Sequence, residues 1–411
     1  MKAAIITIGD EILLGQILDT NSRFMARELT RLGAETIEML SIPDEHEAIV
    51  SALKNTLSKA DAVFITGGLG PTKDDITKQA LADFFHTSLV PNAQAAAWLE
   101  DFFKERPERM NACNQTQVLL PATCVPLRNL KGTACGMWFE QQGKVVVSLP
   151  GVPFETEYLF PAEVLPRITA QFTDLRLQYK MVTVYDIPEA ELAMRLSKFE
   201  QTIPSHMGLA YLPSPGYVRL RLTAKEDAVA QLPSVYAGLL THLKGISYTE
   251  GEEESFEEHI AAHLRQSGKT IACAESCTGG NIAHLITSVP GSSAYFLGGI
   301  VSYANEVKIN TLGVRAQDLQ THGAVSEPVA RQMAEGVRRM TGADWAVSTT
   351  GIAGPDGGTP EKPVGTVWIA VSGPCGTKAK KFLFSRTRER NIGRASNAAL
   401  RWLVEEIEQN K

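Results

Sequence analysis

Hydroxyls, glycines and a lysine recur at the ends of apolar runs in the last third of the chain. In Ile271-Ala-Cys-Ala-Glu-Ser-Cys-Thr-Gly-Gly280 a short apolar run opens into Ser276, Thr278, Gly279 and Gly280, just ahead of a helical stretch, Asn281–Ile286. Such a junction gathers hydroxyls and free backbone N–H groups in one small volume, the setting for a nucleophile beside an anion or oxyanion site. The structural alternative is an ordinary turn with Ser276 or Thr278 as helix N-cap. A second junction follows the buried-strand pattern Ile300–Tyr303. Asn305 reads as the cap of a helix carrying Lys308, which sets Tyr303 and Lys308 on either side of the turn. A cation in a first helical turn opposes the dipole, so Lys308 is a candidate for chemistry; its bland reading is a solvated side chain. A third strand, Trp345–Thr349, opens into the glycine-rich Thr350-Gly351-Ile-Ala-Gly-Pro-Asp-Gly-Gly358, and Val364–Val371 returns as a strand. Arg386, Arg388, Arg390 and Arg394 cluster ahead of a final helix, Ala395–Ile407, and suit a phosphate.

No histidine is placed as a base: His284 falls in a helical apolar stripe and His322 beside a turn. Ser-Lys chemistry therefore fits better than a Ser-His-Asp triad. For Lys308 to act as a base near neutral pH, its surroundings must favour the neutral amine by roughly 4 kcal/mol.

The first third carries a different set. Gly9-Asp10-Glu11 follows an apolar strand, Asp19-Thr-Asn-Ser22 precedes a helix, and Thr66-Gly67-Gly68-Leu-Gly70-Pro-Thr72-Lys-Asp74-Asp75-Ile-Thr77 follows another strand. Glycines let a phosphate approach the backbone, and a helix starting near Asp75 offers its N–H groups to an anion. Adjacent carboxylates beside a phosphate make sense with a hard cation such as Mg²⁺ between them. The competing reading of Asp74 and Asp75 is a pair of first-turn acids favoured by the helix dipole.

The elements that must position these groups alternate. Ala3–Thr7, Thr36–Ser41 and Ala62–Thr66 read as strands; Asn21–Leu32 and Glu45–Leu57 read as helices. That order implies a mostly parallel, doubly wound α/β sheet with ligands at the C-terminal strand ends. Residues 178–250 change character to a small α+β unit: strands Met181–Tyr185, Met207–Leu212, Tyr217–Thr223 and Ile246–Tyr248, a turn at 213–216, and helices Pro188–Ser197 and one ending at Leu243. The acidic run 252–258 reads as a solvated boundary leading into a helix through Ile260 and Leu264.

Bulk properties narrow the function classes. A chain of 411 residues needs more than one core. No stretch reaches the ~18 apolar residues of a membrane span. The apolar run after Met1 is too short for a signal peptide, which points to the cytoplasm. Six cysteines (113, 124, 135, 273, 277 and 375) lack metal-ligand spacing and read as reduced thiols. The net charge of −6 is concentrated: residues 1–177 hold 16 Lys+Arg against 22 Asp+Glu, whereas 178–250 hold 7 of each and 251–411 hold 17 of each. No segment is basic, which argues against nucleic acid as a partner, and a phosphate ester bound in the first domain calls for a divalent cation.

Gly-Asp-Glu with a following Asn-Ser, Gly-Gly-Leu-Gly-Pro-Thr-x-Asp-Asp-x-Thr, Gly132-Thr-Ala-Cys-Gly136 and Leu149-Pro-Gly-Val-Pro153 together resemble the molybdopterin-binding fold of molybdenum-cofactor proteins. They resemble more closely the N-terminal domain of the CinA (competence/damage-inducible protein A) family. That resemblance implies a metal and phosphate site at Asp44 and Asp75, a glycine loop of Gly67, Gly68, Gly70 and Thr72, and divalent-metal-dependent (Mg, Co or Mn type) pyrophosphate cleavage of ADP-ribose. Adenylyl transfer to molybdopterin is the rival activity for this fold. The middle segment resembles a KH-like domain but lacks the GxxG loop that grips RNA, leaving a spacer or dimer element as its expected role.

Ala-Glu-Ser-Cys-Thr-Gly-Gly, Ser-Tyr-x-Asn-x-x-Lys and Thr-Gly-Ile-Ala-Gly-Pro resemble the CinA C-terminal domain, the nicotinamide mononucleotide deamidase (PncC type). The resemblance implies Ser276 as nucleophile, Lys308 as its base, Tyr303 as assistant, Thr350 as substrate holder or carboxamide polariser, and an arginine near 388–390 for the 5′-phosphate. Thr278, Gly279, Gly280 and Gly351 would border the substrate. The Gly-Asp-Arg of many members reads Arg386-Thr-Arg388 here, which leaves the arginine open. The expected organisation is a molybdopterin-binding-like domain over 1–172, a KH-like domain over 173–251 and a CinA deamidase domain over 252–411, in a homodimer. A molybdenum-cofactor enzyme and a non-catalytic competence-linked protein remain as alternatives.

Overall fold

A computed structural model describes residues 1–410 except 73, 74, 174, 176, 186, 215, 216, 252–255, 385 and 386. Asp74, Arg386, part of the 213–216 turn and the start of the acidic run therefore lie outside the described residues. The chain divides into two units: Met1–Tyr179 with Ile203–Gly208 and Thr223–Val235, and Lys180–Thr202 with Leu209–Leu222 and Tyr236–Lys411.

In the first unit, β1 (Lys2–Ile8), β2 (Glu35–Ile42), β3 (Ala62–Thr66), β6 (Val125–Leu127), β7 (Gly136–Gln141) and β8 (Lys144–Leu149) form one sheet in the order β2-β1-β3-β8-β7-β6. The sheet is mixed: β2-β1-β3-β8 run parallel, while β7 and β6 return antiparallel. The short β4 (Leu89–Pro91) and β5 (Leu119–Pro121) pair separately. Alternation along β1 assigns its two faces. Ala3 and Ile5 pack with Met25 and Leu29 of α2 (Thr20–Leu32) and with Phe160 and Ile168, near α7 (Pro153–Leu159) and α8 (Leu165–Gln171). Ala4, Ile6 and Ile8 pack with Ile49 and Leu53 of α3 (His46–Leu57), Leu81 of α4 (Thr77–Phe84) and Ala95 of α5 (Ala93–Phe103). Two single-turn helices, α1 (Asp10–Leu13) and α6 (Ala112–Gln115), complete the helical set before residue 173. Asp19 starts α2 by accepting the Ser22 amide, and Gly33 ends it in the left-handed region, so the connection returns promptly to β2.

Residues 173–251 carry β9 (Leu177–Tyr185), α9 (Glu189–Glu200), β10 (Met207–Ser214), β11 (Tyr217–Lys225), α10 (Leu232–His242) and β12 (Tyr248–Glu250), with sheet order β10-β11-β9-β12. The last strand starts later than Ile246–Tyr248 because the Ile246 amide still donates to Leu243 O, holding the chain in a turn.

The C-terminal sheet has the order β14-β13-β15-β16-β17, from β13 (Ile271–Glu275), β14 (Phe296–Val301), β15 (Trp345–Gly351), β16 (Thr366–Gly373) and β17 (Gly376–Leu383). β13 is parallel to both neighbours, and the other two ladders are antiparallel. Ile271 and Cys273 face α11 (Phe256–Ser267), α12 (Asn281–Thr287) and α16 (Arg388–Gln409). Ala272 and Ala274 face Val329, Met333 and Val337 of α15 (Glu327–Thr341), with α13 (Asn305–Asn310) and α14 (Ala316–His322) leading into it.

Four sequence expectations change here. β14 is a half-buried edge strand ending at Val301, not a buried strand over 300–303. β16 begins at Thr366 because a turn from Thr366 N to Pro363 O keeps Val364 and Gly365 out of the ladder. α16 begins at Arg388 rather than Ala395, since Thr387 O accepts the Asn391 amide and good helix formers follow it. His284 is on the exposed side of α12, not in its apolar stripe.

Candidate functional site

β13 ends on Glu275, and Ser276 begins the turn that leads to α12. Neither Ser276 nor Thr278 caps that helix; Gly280 is the N-cap and offers no side chain. The Glu275 carboxylate, 1% exposed, does the capping instead. It accepts the amides of Gly280 at 3.0 Å, Ile282 at 3.0 Å and Ala283 at 2.9 Å. The chain reaches this arrangement through Gly279 and Gly280, at φ +64° and +101°, values that side-chain-bearing residues rarely adopt. The turn is also pinned to β15: Ser276 N donates to Thr349 O at 3.0 Å, and Thr278 Oγ1 lies 2.7 Å from Thr349 Oγ1.

Lys308 comes from α13, which has six residues and starts after Ala304; Asn305 is its first residue and not its cap. Lys308 consequently sits in the helix's last turn rather than its first, and it is 1% exposed. Its Nζ lies 3.2 Å from Ser276 Oγ, 2.6 Å from Ser302 O and 3.3 Å from Tyr303 O. Burial holds the amine below its ordinary pKa of 10.5, against the weaker opposing influence of Cys277 and Glu306. The two backbone carbonyls accept from Nζ, and the Ser276 hydroxyl lies within hydrogen-bond reach of the same nitrogen.

Tyr303 is 61% exposed, and its hydroxyl accepts from Arg388 Nη2 at 3.1 Å. Arg388 also donates to Gly354 O at 2.9 Å, tying the glycine-rich loop to the start of α16. Of the arginines singled out above, Arg388 therefore joins the group; Arg390 is exposed with no side-chain partner among the described residues, and Arg394 stacks over Phe384 at 5.6 Å. Thr350 is buried and its hydroxyl donates to Ala324 O at 2.8 Å. Gly351 is the last residue of β15, where a Cβ would crowd Thr366 O and Val367.

In the first unit a cleft of about 500 Å³ opens at the C-terminal ends of β1 and β3. Glu11, Asp19, Asn21, Asp44, Gly67, Gly68, Gly70, Asp75 and Glu155 line it. Asp75 closes the glycine loop, accepting Gly70 N at 2.7 Å, Thr72 N at 2.9 Å and the Thr72 hydroxyl. The following helix starts two residues later, at Thr77. Burial raises the pKa of Asp44, and the charges of Asp10, Glu11 and Asp75 raise it further, opposed by a hydrogen bond from the Asp10 backbone. Asp44 and Asp75 are hard oxygen donors, close enough that the charge of Asp75 raises the cost of ionising Asp44. That donor type suits a divalent cation, although the Asp75 carboxylate is also engaged by the loop.

Glu155, in this cleft, and Lys78, behind its glycine loop, had no counterpart in the sequence reading. Glu155 is buried, accepts Asn129 Nδ2 at 2.6 Å, and burial pushes its pKa up. Lys78 is buried beneath the glycine loop and donates to Gln117 Oε1 at 2.7 Å; Gln117 Nε2 in turn donates to Leu69 O at 3.0 Å. Their partners are 26 and 39 residues away, so no local pattern signals them. Asn21, within the Asn-Ser motif, donates to Thr66 Oγ1 at 3.0 Å and Gly151 O at 2.8 Å, leaving its buried Oδ1 without a partner among the described residues.

Residues 253–407 match the family described as the CinA C-terminal domain, and residues 4–170 match a probable molybdopterin binding domain. A CinA-like protein of Flavobacterium psychrophilum is 42% identical over 422 residues, covering 100% of this chain and 99% of the relative. The chain belongs to the CinA family. A CinA-like protein of Cytophaga hutchinsonii is 43% identical over 412 residues, with 100% and 99% covered. The crystal structure of a competence damage-inducible protein A from Klebsiella pneumoniae is 36% identical, spanning 37% of this CinA chain and 95% of that one, at a TM-score of 0.36. Among the described residues, no helix is long and apolar enough to cross a membrane.

Proposed function

We propose that the C-terminal domain is a Ser-Lys amidohydrolase that converts nicotinamide mononucleotide to nicotinate mononucleotide and ammonia. The observation that carries this reading is the 3.2 Å approach of a buried Lys308 Nζ to Ser276 Oγ. Neutral Lys308 takes the Ser276 hydroxyl proton as Oγ bonds to the carboxamide carbon, and the carbonyl π pair moves to oxygen. Collapse restores the carbonyl, breaks the C–N bond and returns the proton from Lys308 to the departing nitrogen, giving ammonia and an acyl-serine. Water, deprotonated by the same amine, then hydrolyses the ester. Arg388, which donates to Gly354 O and the Tyr303 hydroxyl, would take the 5′-phosphate. Thr350, whose hydroxyl is anchored on Ala324 O, would hold the substrate or polarise the carboxamide. The test is release of ammonia from the mononucleotide in the presence of a chelator, which Ser276→Ala should abolish. A folded protein that releases none would refute the reading.

For the N-terminal domain we propose a divalent-metal-dependent ADP-ribose pyrophosphatase. Asp44 and Asp75 would hold the cation, which when bound neutralises pyrophosphate oxygens. Gly67 and Gly68 let the loop turn in the left-handed region close against Ile8 O and Thr77, which shapes the phosphate-facing loop, and Glu155, kept protonated more readily by burial, can donate a proton within the cleft. Ile17 and Leu18 line the rim, Leu18 87% exposed, and give a planar base an apolar face. The molybdopterin-binding match favours a second reading, adenylylation of molybdopterin. Incubation with ADP-ribose and Mg²⁺, assayed for AMP, separates the two. Both activities would operate in a cytoplasmic homodimer.

A further inference from the structure

The hydrogen-bond account of residues 276–284 leaves a short remainder. Ser276 N is taken by Thr349 O, Gly279 N by Ser276 O, Asn281 N by Thr278 O and His284 N by Gly280 O. Gly280, Ile282 and Ala283 donate to the Glu275 carboxylate. The helix N-terminus, which would otherwise attract the substrate's phosphate or oxyanion, is thereby already filled by a fixed negative charge. Two amides are left over. Thr278 N has no acceptor among the described residues, and Cys277 N faces only its own sulfur, a weak acceptor. Both directly follow Ser276, and the side chains of Cys277 and Thr278 are buried, so the turn that aims them is rigid.

We propose that Glu275 is a positioning residue: by capping α12 from the end of β13 it reserves the amides of Cys277 and Thr278 as the oxyanion hole for Ser276. The proposal rests on the Ser-Lys amidohydrolase reading and adds what that reading lacks, the donors for the tetrahedral oxygen. It also moves the phosphate away from α12, since an anion there would meet the Glu275 carboxylate. Geometrically the hole follows from chain direction. A donor from the residue after a nucleophile points at the atom that the nucleophile attacks when the chain turns sharply from strand to helix. The carboxylate makes that turn tight by pulling three amides back toward the strand end.

The probe is 3-pyridylboronic acid, which carries boron where the substrate carries its carboxamide carbon. An Oγ–B bond forms, the serine proton passes to Lys308, and one hydroxyl of the tetrahedral boronate occupies the oxyanion position. In the full chain labelled with ¹⁵N-cysteine and ¹⁵N-threonine, the Cys277 and Thr278 amide signals are expected to shift and their hydrogen exchange to slow when the adduct forms. Glu275→Gln keeps the shape but supplies one acceptor oxygen in place of a charged pair. It should lower kcat for ammonia release about a hundredfold or more with KM changed less than about threefold, and weaken boronate inhibition by the same factor as kcat/KM. A purely structural role would not split kcat from KM in this way. Unmoved Cys277 and Thr278 amides in a formed adduct would overturn the proposal, as would a folded Glu275→Gln protein with full kcat. If that variant does not fold, the amide measurement on the natural protein decides. Ammonia release or boronate binding that survives Ser276→Ala would instead refute the Ser-Lys reading itself.

Discussion

Among the described residues two lysines are buried, one in each half of the chain, and they face different partners. Lys78 is 8% exposed beneath the glycine loop of the first domain, and Lys308 is 1% exposed under Ser276. Burial depresses both, Lys78 to about 8 against the opposing pull of the nearby Asp75 carboxylate. Lys78 donates to a side-chain amide that itself braces Leu69 O, so its ammonium closes a structural chain. Lys308 meets two backbone carbonyls and the hydroxyl of Ser276, a set that brings the amine within hydrogen-bond reach of a potential nucleophile. A depressed pKa thus marks burial in both places, and the proposed chemistry belongs to one of them. The partner across the amine, and not the shift, separates the two roles.

The widest gap between them should come from removing each amine. Lys308→Met is expected to reduce kcat/KM for ammonia release by about a thousandfold or more, whereas Lys78→Met should leave it within about threefold. Equal losses in both variants would break the comparison. A second contrast sets the two sites against each other: Asp75→Ala should cut AMP formation from ADP-ribose by about a hundredfold while ammonia release persists. Ammonia release lost along with it would mean that the sites are not independent.

Stability against pH sharpens the comparison at smaller scale. With Lys78 at about 8 when folded and 10.5 when unfolded, the unfolded chain holds more protons between those values. Folding stability contributed by this group therefore rises with pH across that window and is lowest below pH 8, by roughly 3 kcal/mol. The urea midpoint of the natural protein should accordingly rise relative to that of Lys78→Met between pH 8 and 10.5. The same sign holds for Lys308. A natural protein that loses stability relative to the variant as pH rises would contradict a lysine pKa depressed by burial. Smallest of all, Tyr303→Phe removes the hydroxyl that accepts from Arg388 and should raise KM for the mononucleotide about threefold to tenfold with little change in kcat.

How far the sequence carries depends on whether the deciding contact is local. The strand-then-hydroxyl pattern at 271–280 and the lysine after 300–303 identified both members of the Ser276–Lys308 pair, because each lies where a strand ends at the same edge of one sheet. The depth of Lys308 was not legible: Asn305 looks like a cap, yet Ala304 fills that position and α13 is too short to leave the lysine in a first turn. Glu275 read as the end of an apolar run. Its use as a cap depends on the chain folding back within eight residues, and the trace of that in the sequence is the pair Gly279-Gly280, which permits the turn without naming the acceptor. The sheet of the first domain was read as mostly parallel because its strands alternate with helices through β3. The antiparallel return of β7 and β6 is carried by short segments with little periodicity of their own.

The most direct test of the account is kcat/KM for ammonia release from nicotinamide mononucleotide, followed across pH in chelator for the natural protein and for Lys308→Arg. The natural protein should gain activity with rising pH through a single ionisation below 10.5, the ordinary value of a lysine, and Lys308→Arg, whose side chain keeps its proton, should stay inactive throughout. Activity retained by the arginine variant, or a profile that falls as pH rises, would contradict a neutral amine as the base for Ser276.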